Sequence, residues 1–239
     1  KTCYPVASQN EQDLYNLIDV YLDAVFYPRI TPDIFAQEGW HYEFSDQHGE
    51  LQFKGVVYNE MKGAYSSPDG LLQEYSQQTL FPDSPYGLDS GGHPEWIPKL
   101  TYEDFRSFHQ KYYHPSNAKL FFYGDDDPER RLQKAHEVLK DFERIEPDSQ
   151  IGLQPRIPEP VRFESYYPAD DPAAKCMLTM NWLLDVSTDV EKALALQILE
   201  VLLVGMPSSP LRKALLDSGL GEDLAGIGLE TDLRQMYFS

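Results

Sequence analysis

Cysteine is scarce in this chain: Cys3 and Cys176 are the two among 239 residues. That excludes a disulfide scaffold and a cysteine-rich metal site, and the pair reads as small buried apolar residues kept in a reducing compartment. Basic residues are also short. Twenty Lys and Arg stand against 39 Asp and Glu, giving a net charge of −19. Phosphate recognition needs clustered Lys and Arg, so nucleic acid is excluded as a partner, and an anionic membrane surface is disfavoured. Cationic ligands suit the acidity, although self-repulsion for solubility is the simpler reading. No apolar run approaches the ~20 residues of a membrane span; the longest, Leu194–Gly205, is interrupted by Gln197 and Glu200.

Several catalytic patterns are missing as well. No Gly-x-Ser-x-Gly is present to expose a nucleophilic serine. Neither cysteine has a local histidine partner. Gly91-Gly92 lacks the Lys-Ser/Thr that would follow in a phosphate loop. Asp125-Asp126-Asp127 lacks the alternating ligands and distal Glu of a calcium loop. It reads instead as Asp127 capping a helix whose first residue is Pro128, with acids at the positive end of the helix dipole. His109 and His114 are five apart and share no helix face, and His93 reads as a solvated loop histidine.

What is present centres on residues 54–65, KGVVYNEMKGAY. The spacing predicts a helix with Val57, Met61 and Ala64 on one face and Glu60 beside it, partly buried. A buried carboxylate needs a partner: a Lys, an Arg, a backbone amide or a metal ion. Further helices are predicted over about 9–26 (Ser8 and Glu11 at capping-box spacing, apolar stripe Leu14, Leu17, Ile18, Tyr21, Leu22, Val25), from Thr31-Pro32 to about 38, and over 71–79 and 101–113 (core face Phe105, Phe108, Tyr112). Others follow from Pro128 to about 143, over 188–205, and from Ser209-Pro210 to about 217. Strands are predicted at 2–7, 118–124, 162–167, 176–184 and 234–239, and 41–44 with 50–53 read as a hairpin or an irregular loop around 45–49. Residues 145–160 carry four prolines and little periodicity, the best linker in the chain. The expected organisation is therefore a first domain over 1–145, a linker over 146–160 and part of a second, related domain over 161–239.

Seven segments in order carry a resemblance: YPVAS (4–8), NLIDVYLDAVFYP (16–28), QEGWHYE (37–43), FKGVVYNEMKGAYS (53–66), YGLDSGGHPEWIPKLT (86–101), YYHPSNAKLFFYGDDDP (112–128) and SSPLRKALLDSGLGEDL (208–224). Together the chain resembles the presequence protease branch of the pitrilysin/insulinase family of zinc metallopeptidases. The resemblance implies an α+β fold of pitrilysin type, an antiparallel sheet packed by helices. Here that means one nearly complete domain and the start of a second, non-catalytic one. It implies an ATP-independent zinc endopeptidase that degrades unfolded peptides such as presequences, in a bacterial cytoplasm, a mitochondrial matrix or a plastid stroma. In that family two His ligands and the general base come from His-x-x-Glu-His, and the third zinc ligand is a Glu in the segment aligned with VVYNEMKG. This places the third Zn2+ ligand at Glu60. None of the six histidines here belongs to His-x-x-Glu-His, so the general base and both His ligands are expected upstream of Lys1. The 239 residues alone are then expected to be inactive. A non-catalytic scaffold or peptide-binding domain of the same fold is the alternative.

Overall fold

The computed structural model describes residues 2–45, 49–169, 176–224 and 228–239. Residues 46–48, with His48, between the two strands of the expected hairpin, and residues 225–227 lie outside the described residues. The fold is α+β, and the chain divides into two compact units: Lys1–Asn59 with Glu95–Gln150, and Glu60–Pro94 with Ile151–Ser239. The Pro-rich stretch 145–160 is shared between them at Gln150/Ile151.

The first unit is built on α1 (Glu11–Phe26). Asn10, rather than Ser8, is the N-cap: its side chain accepts from the Asp13 amide, while Ser8 Oγ accepts from the Asn10 amide at 3.2 Å. Tyr15, Ile18, Leu22 and Phe26 form the buried face, at spacings of three and four, against Phe122, Val138, Leu139 and Phe142. The apolar stripe is thus rotated from the expected one, and Tyr21 lies exposed. Tyr15 takes the centre because its hydroxyl has a polar partner, Asp126 Oδ2 at 2.9 Å. Helix α2 (Pro32–Ile34) starts at the Thr31 cap and widens into a π turn over Phe35–Gly39. Strands β1 (His41–Ser45) and β2 (Glu50–Lys54) pair antiparallel, His41 opposite Lys54, which selects the hairpin over the irregular loop.

Helix α5 (Tyr102–Tyr112) opens with a reciprocal Thr101/Asp104 capping box. Its expected core face is corrected: Phe105 and Phe108 are exposed, the first against Phe35 and the second against Tyr112 on the helix surface. Helix α6 (Pro128–Leu139) is capped by Asp127, whose carboxylate accepts from the Glu129 amide. It packs on α1 through Arg130–Glu11 (3.0 Å) and Lys134–Asp19 (2.5 Å).

In the second unit, α4 (Pro68–Leu80) begins at the Ser67 cap, three residues before the predicted start, because Pro68 fits the first helical turn. Strands β3 (Trp182–Val186), β4 (Leu229–Glu230) and β5 (Gln235–Phe238) form an antiparallel sheet in the order β3-β5-β4. Met236 and Tyr237 of central β5 are buried, and Tyr237 joins Leu80 and Phe81 in the core. Helix α7 (Val190–Glu200) is capped by Asp189 and ends in a π turn over Val201–Gly205; α8 (Pro210–Asp217) follows Ser209. Val190–Asp217 has the length and composition of a membrane span. The turn, Pro207 and Pro210 break it into helices of 11 and 8 residues, both short of the ~20 a span needs.

Three expected strands do not form. Residues 2–7, 118–124 and 162–167 lack ladder partners among the described residues, and 176–184 yields only the part that pairs with β5. An extended segment becomes a strand only when a neighbour takes its amides and carbonyls. Phe121 and Tyr123 are accordingly 87% and 92% exposed. The cysteines are likewise corrected: both are free and exposed.

Candidate functional site

The sequence-selected carboxylate lies on α3 (Val56–Ala64). Gly55 sets the start of this helix. Its φ is +146°, and a Cβ there would come within 2.2 Å of the Gly39 carbonyl oxygen, so no other residue fits the approach of the two backbones. The Asn59 amide then donates to the Gly55 carbonyl at 3.0 Å.

Glu60 is exposed, and so is Ala64; Met61 is the buried residue of the helix. The expected partial burial of Glu60 is therefore corrected: residues adjacent in a helix point about 100° apart, and seating Met61 turns Glu60 outward. Water solvates this carboxylate, and among the described residues it has neither a hydrogen bond nor an ion pair. A free carboxylate at a helix surface is a chemically sound oxygen ligand for zinc, which takes Asp or Glu alongside His. It supplies one ligand of the three a catalytic site needs. Among the described residues no group of three or more His, Cys, Asp and Glu is placed to hold a metal.

The C-terminal half of α3 sits on the loop 89–93. Asp89 Oδ1 accepts from the Gly91 amide at 2.8 Å, and the Asp89 carbonyl accepts from Gly92 at 3.1 Å. Gly91 then lies flat against the Met61 thioether. One turn on, the Tyr65 ring meets the His93 ring edge-on, with centroids 4.6 Å apart. His93 is thus a packing residue here rather than a solvated one. The Tyr65 hydroxyl is buried and has no hydrogen-bond partner at ordinary geometry among the described residues. Burial, reinforced by the charges of Asp89 and Glu74, holds that phenol well above the usual tyrosine range. The Glu74 carboxyl is pushed up by burial and then by Asp89. The loop's Asp-Ser-Gly-Gly-His string is visible in the sequence as a turn, but nothing there links it to Met61 or Tyr65 some thirty residues earlier.

The other singled-out residues have structural partners. His109 Nε2 donates to the Val25 carbonyl at 3.0 Å, and His114 Nδ1 accepts from the Ser116 amide at 3.1 Å. Asp126 pairs with Arg131, whose Nε donates at 2.8 Å, so the aspartate triplet is a helix start braced by an ion pair. An open cleft of about 640 Å³ in the first unit is lined by His114, Lys119, Phe142, Arg144 and Glu146 among others; Glu60 is not on its wall.

Comparison with known proteins places this arrangement. The sequence model described as "Peptidase M16 inactive domain" matches residues 99–239. The chain belongs to the M16 peptidase family. Presequence protease 1 of Arabidopsis thaliana, a protein described as chloroplastic/mitochondrial, is 52% identical over 246 residues, covering 100% of this chain and 23% of that protein. Protein HypA of Clostridium perfringens is 49% identical over 233 residues, 95% of this chain and 24% of that protein. The M16 chain thus spans about a quarter of the length of the curated relatives it matches. The crystal structure of an M16-like peptidase from Alicyclobacillus acidocaldarius superposes with a TM-score of 0.53 at 19% identity, over 92% of this chain and 61% of that one. That likeness supports the α+β fold expected from the resemblance.

Proposed function

We propose that these residues are part of an ATP-independent zinc metalloendopeptidase that degrades unfolded peptides such as presequences, and that Glu60 is its third zinc ligand. The observation that carries this reading is the 52% identity to a presequence protease along the whole chain. The exposure of Glu60, which has no hydrogen bond or ion pair among the described residues, supports it, because that carboxylate is open to an external ligand. When bound, zinc would supply a Lewis acid that polarises a peptide carbonyl and acidifies water. The contribution of this chain is to hold one anionic oxygen donor at a fixed place on α3. The two His ligands, the general base and the other domains belong to the rest of the polypeptide, upstream of Lys1 and beyond Ser239. Residues 1–145 would complete the first domain and 161–239 begin the second. Relatives from a plant organelle and a bacterium leave both a matrix or stroma and a bacterial cytoplasm as compartments.

The test is Glu60→Gln in the intact protein. The amide keeps the size of the side chain but is a far poorer zinc ligand than a carboxylate. Two ligands do not hold a catalytic metal. Bound zinc and peptidase activity are expected to fall together, with an unchanged circular dichroism spectrum. Full zinc content by elemental analysis with near-normal turnover would remove Glu60 from the site.

A second reading has its own observation. The matched family description is that of an inactive domain, which favours a scaffold or peptide-binding role for the part from 99 onward. Under that reading Glu60→Gln leaves zinc content unchanged, and thermal stability as well, because the exposed carboxylate has no partner among the described residues.

A further inference from the structure

We infer that Gly91 and Met61 are positioning residues for Glu60: the loop 89–93 clamps the C-terminal half of α3 and so sets where the carboxylate stands. This rests on the reading of Glu60 as a zinc ligand, and goes beyond it by naming what aims the ligand. Met61 is adjacent to Glu60 and is the buried anchor of the helix, 9% exposed. A Cβ built at position 91 would fall 2.3 Å from Met61 Sδ, 3.0 Å from Cε and 3.4 Å from Cγ. Rotating the terminal methyl does not clear such a contact, because three successive atoms of the side chain are crowded at once. Asp89 holds the shape of the loop's turn through both its side chain and its carbonyl, so the loop meets α3 as one preformed piece. The second point of the clamp is the Tyr65–His93 ring contact. Positions 61 and 65 are four apart and lie one above the other on the same side of the helical path. Two contacts one turn apart fix rotation as well as translation. A carboxylate on the adjoining, exposed side therefore inherits its position from a loop it does not touch. Outer supports of this kind tune metal affinity by orienting the ligand.

The experiment uses the intact protein and reads zinc affinity, by competition with a chelator, together with amide hydrogen exchange over residues 57–66. Gly91→Val inserts a branched side chain where the thioether lies, and Met61→Ala removes the anchor. Each is expected to weaken zinc binding about 10-fold to 100-fold and to speed exchange in α3. The double variant Gly91→Val/Met61→Ala puts new methyl groups into the space vacated by the thioether. It is expected to bind zinc more tightly than either single variant, which simple loss of fold would not produce. Unchanged zinc affinity in both single variants, or a double variant as weak as the two losses added, would overturn the clamp. Glu60→Gln separates the two claims. If it loses zinc while the Gly91 and Met61 variants keep it, Glu60 is a ligand and the loop does not aim it. If Glu60→Gln keeps its zinc, the underlying reading has failed and the positioning role falls with it.

Discussion

Asp126 shows how one residue type supports two different hypotheses. Three aspartates in a row invite a cation, yet Asp126 already has its cation in Arg131, and its second partner is the Tyr15 hydroxyl at the centre of the α1 core. The Arg131 hydrogen bond, assisted by Tyr15, lowers the Asp126 carboxyl to about 2. A carboxylate depressed in the folded state contributes stability that is fully present above its unfolded value near 3.9, and that is lost as pH falls through the folded value. The window is therefore about pH 4 to pH 2. Asp126→Asn is expected to lower the melting temperature at pH 7 and to flatten the decline between pH 4 and pH 2. Melts at three pH values, followed by circular dichroism, test this. An unchanged pH profile would mean that the ion pair does not serve the fold. Sequence alone placed Asp127 correctly as a cap, because capping is decided within three residues. It missed the role of Asp126, because Tyr15 lies more than a hundred residues away.

At the scale of elements the same division holds. Helices whose ends carry their own signals were legible: Thr31, Thr101 and Asp127 read as starts, and each accepts from an amide in the first turn; Ser67 and Asp189 do the same without having been read as caps. Strands were legible where a neighbour in the chain completes the ladder, as in β1 and β2; the run at 118–124 has no ladder partner among the described residues, and its aromatic pattern reads the same with or without one. The location of the candidate ligand on a helix was legible. Its exposure was not, since that depends on Met61 meeting Gly91. The Pro-rich stretch shows a third case: composition announces a linker, and one buried side chain pins it. Gln154 is 5% exposed; its Nε2 donates to Asp83 Oδ2, its Oε1 accepts from the Asp83 amide, and its own amide donates to Gln235 Oε1, each at 2.9 Å. Gln154→Ala removes both side-chain hydrogen bonds to Asp83 and leaves the backbone bond to Gln235 in place, at a cost of about 0.5–1.5 kcal/mol for each bond lost. Trypsin is expected to cut after exposed Arg156 before it cuts α1 or α5, and faster still in the variant. Earlier cleavage at Lys54 or Lys62 would show instead that α3 is not held as described.

For the whole molecule, surface area is the informative quantity. The chain exposes 18061 Å². A compact monomer of its 27.5 kDa mass exposes about 11,000 Å², and even two independent bodies of half that mass expose about 13,000 Å² together. The unfolded chain exposes about 40,000 Å², so folding buries about 22,000 Å² where a compact chain of this size buries about 29,000 Å². Large apolar side chains contribute to it: Val190, Leu194, Ile198 and Leu202 of the α7 stripe and its following turn are each more than half exposed, as are Phe121, Tyr123, Tyr166 and Leu178. The urea dependence of unfolding scales with the area uncovered. The isolated 239-residue chain is therefore expected to unfold with an m-value about three-quarters of that for a compact protein of its size, and to bind the dye ANS while still folded. If these residues are part of a longer enzyme, ANS binding per mole should fall sharply in the intact protein, because further domains take up the apolar surface. The charge of −19 disfavours a second copy as the cover, since two such chains repel each other at low salt. A steep m-value with no dye binding would show that the isolated chain closes over its own apolar side chains, and the case for a missing cover would then be lost.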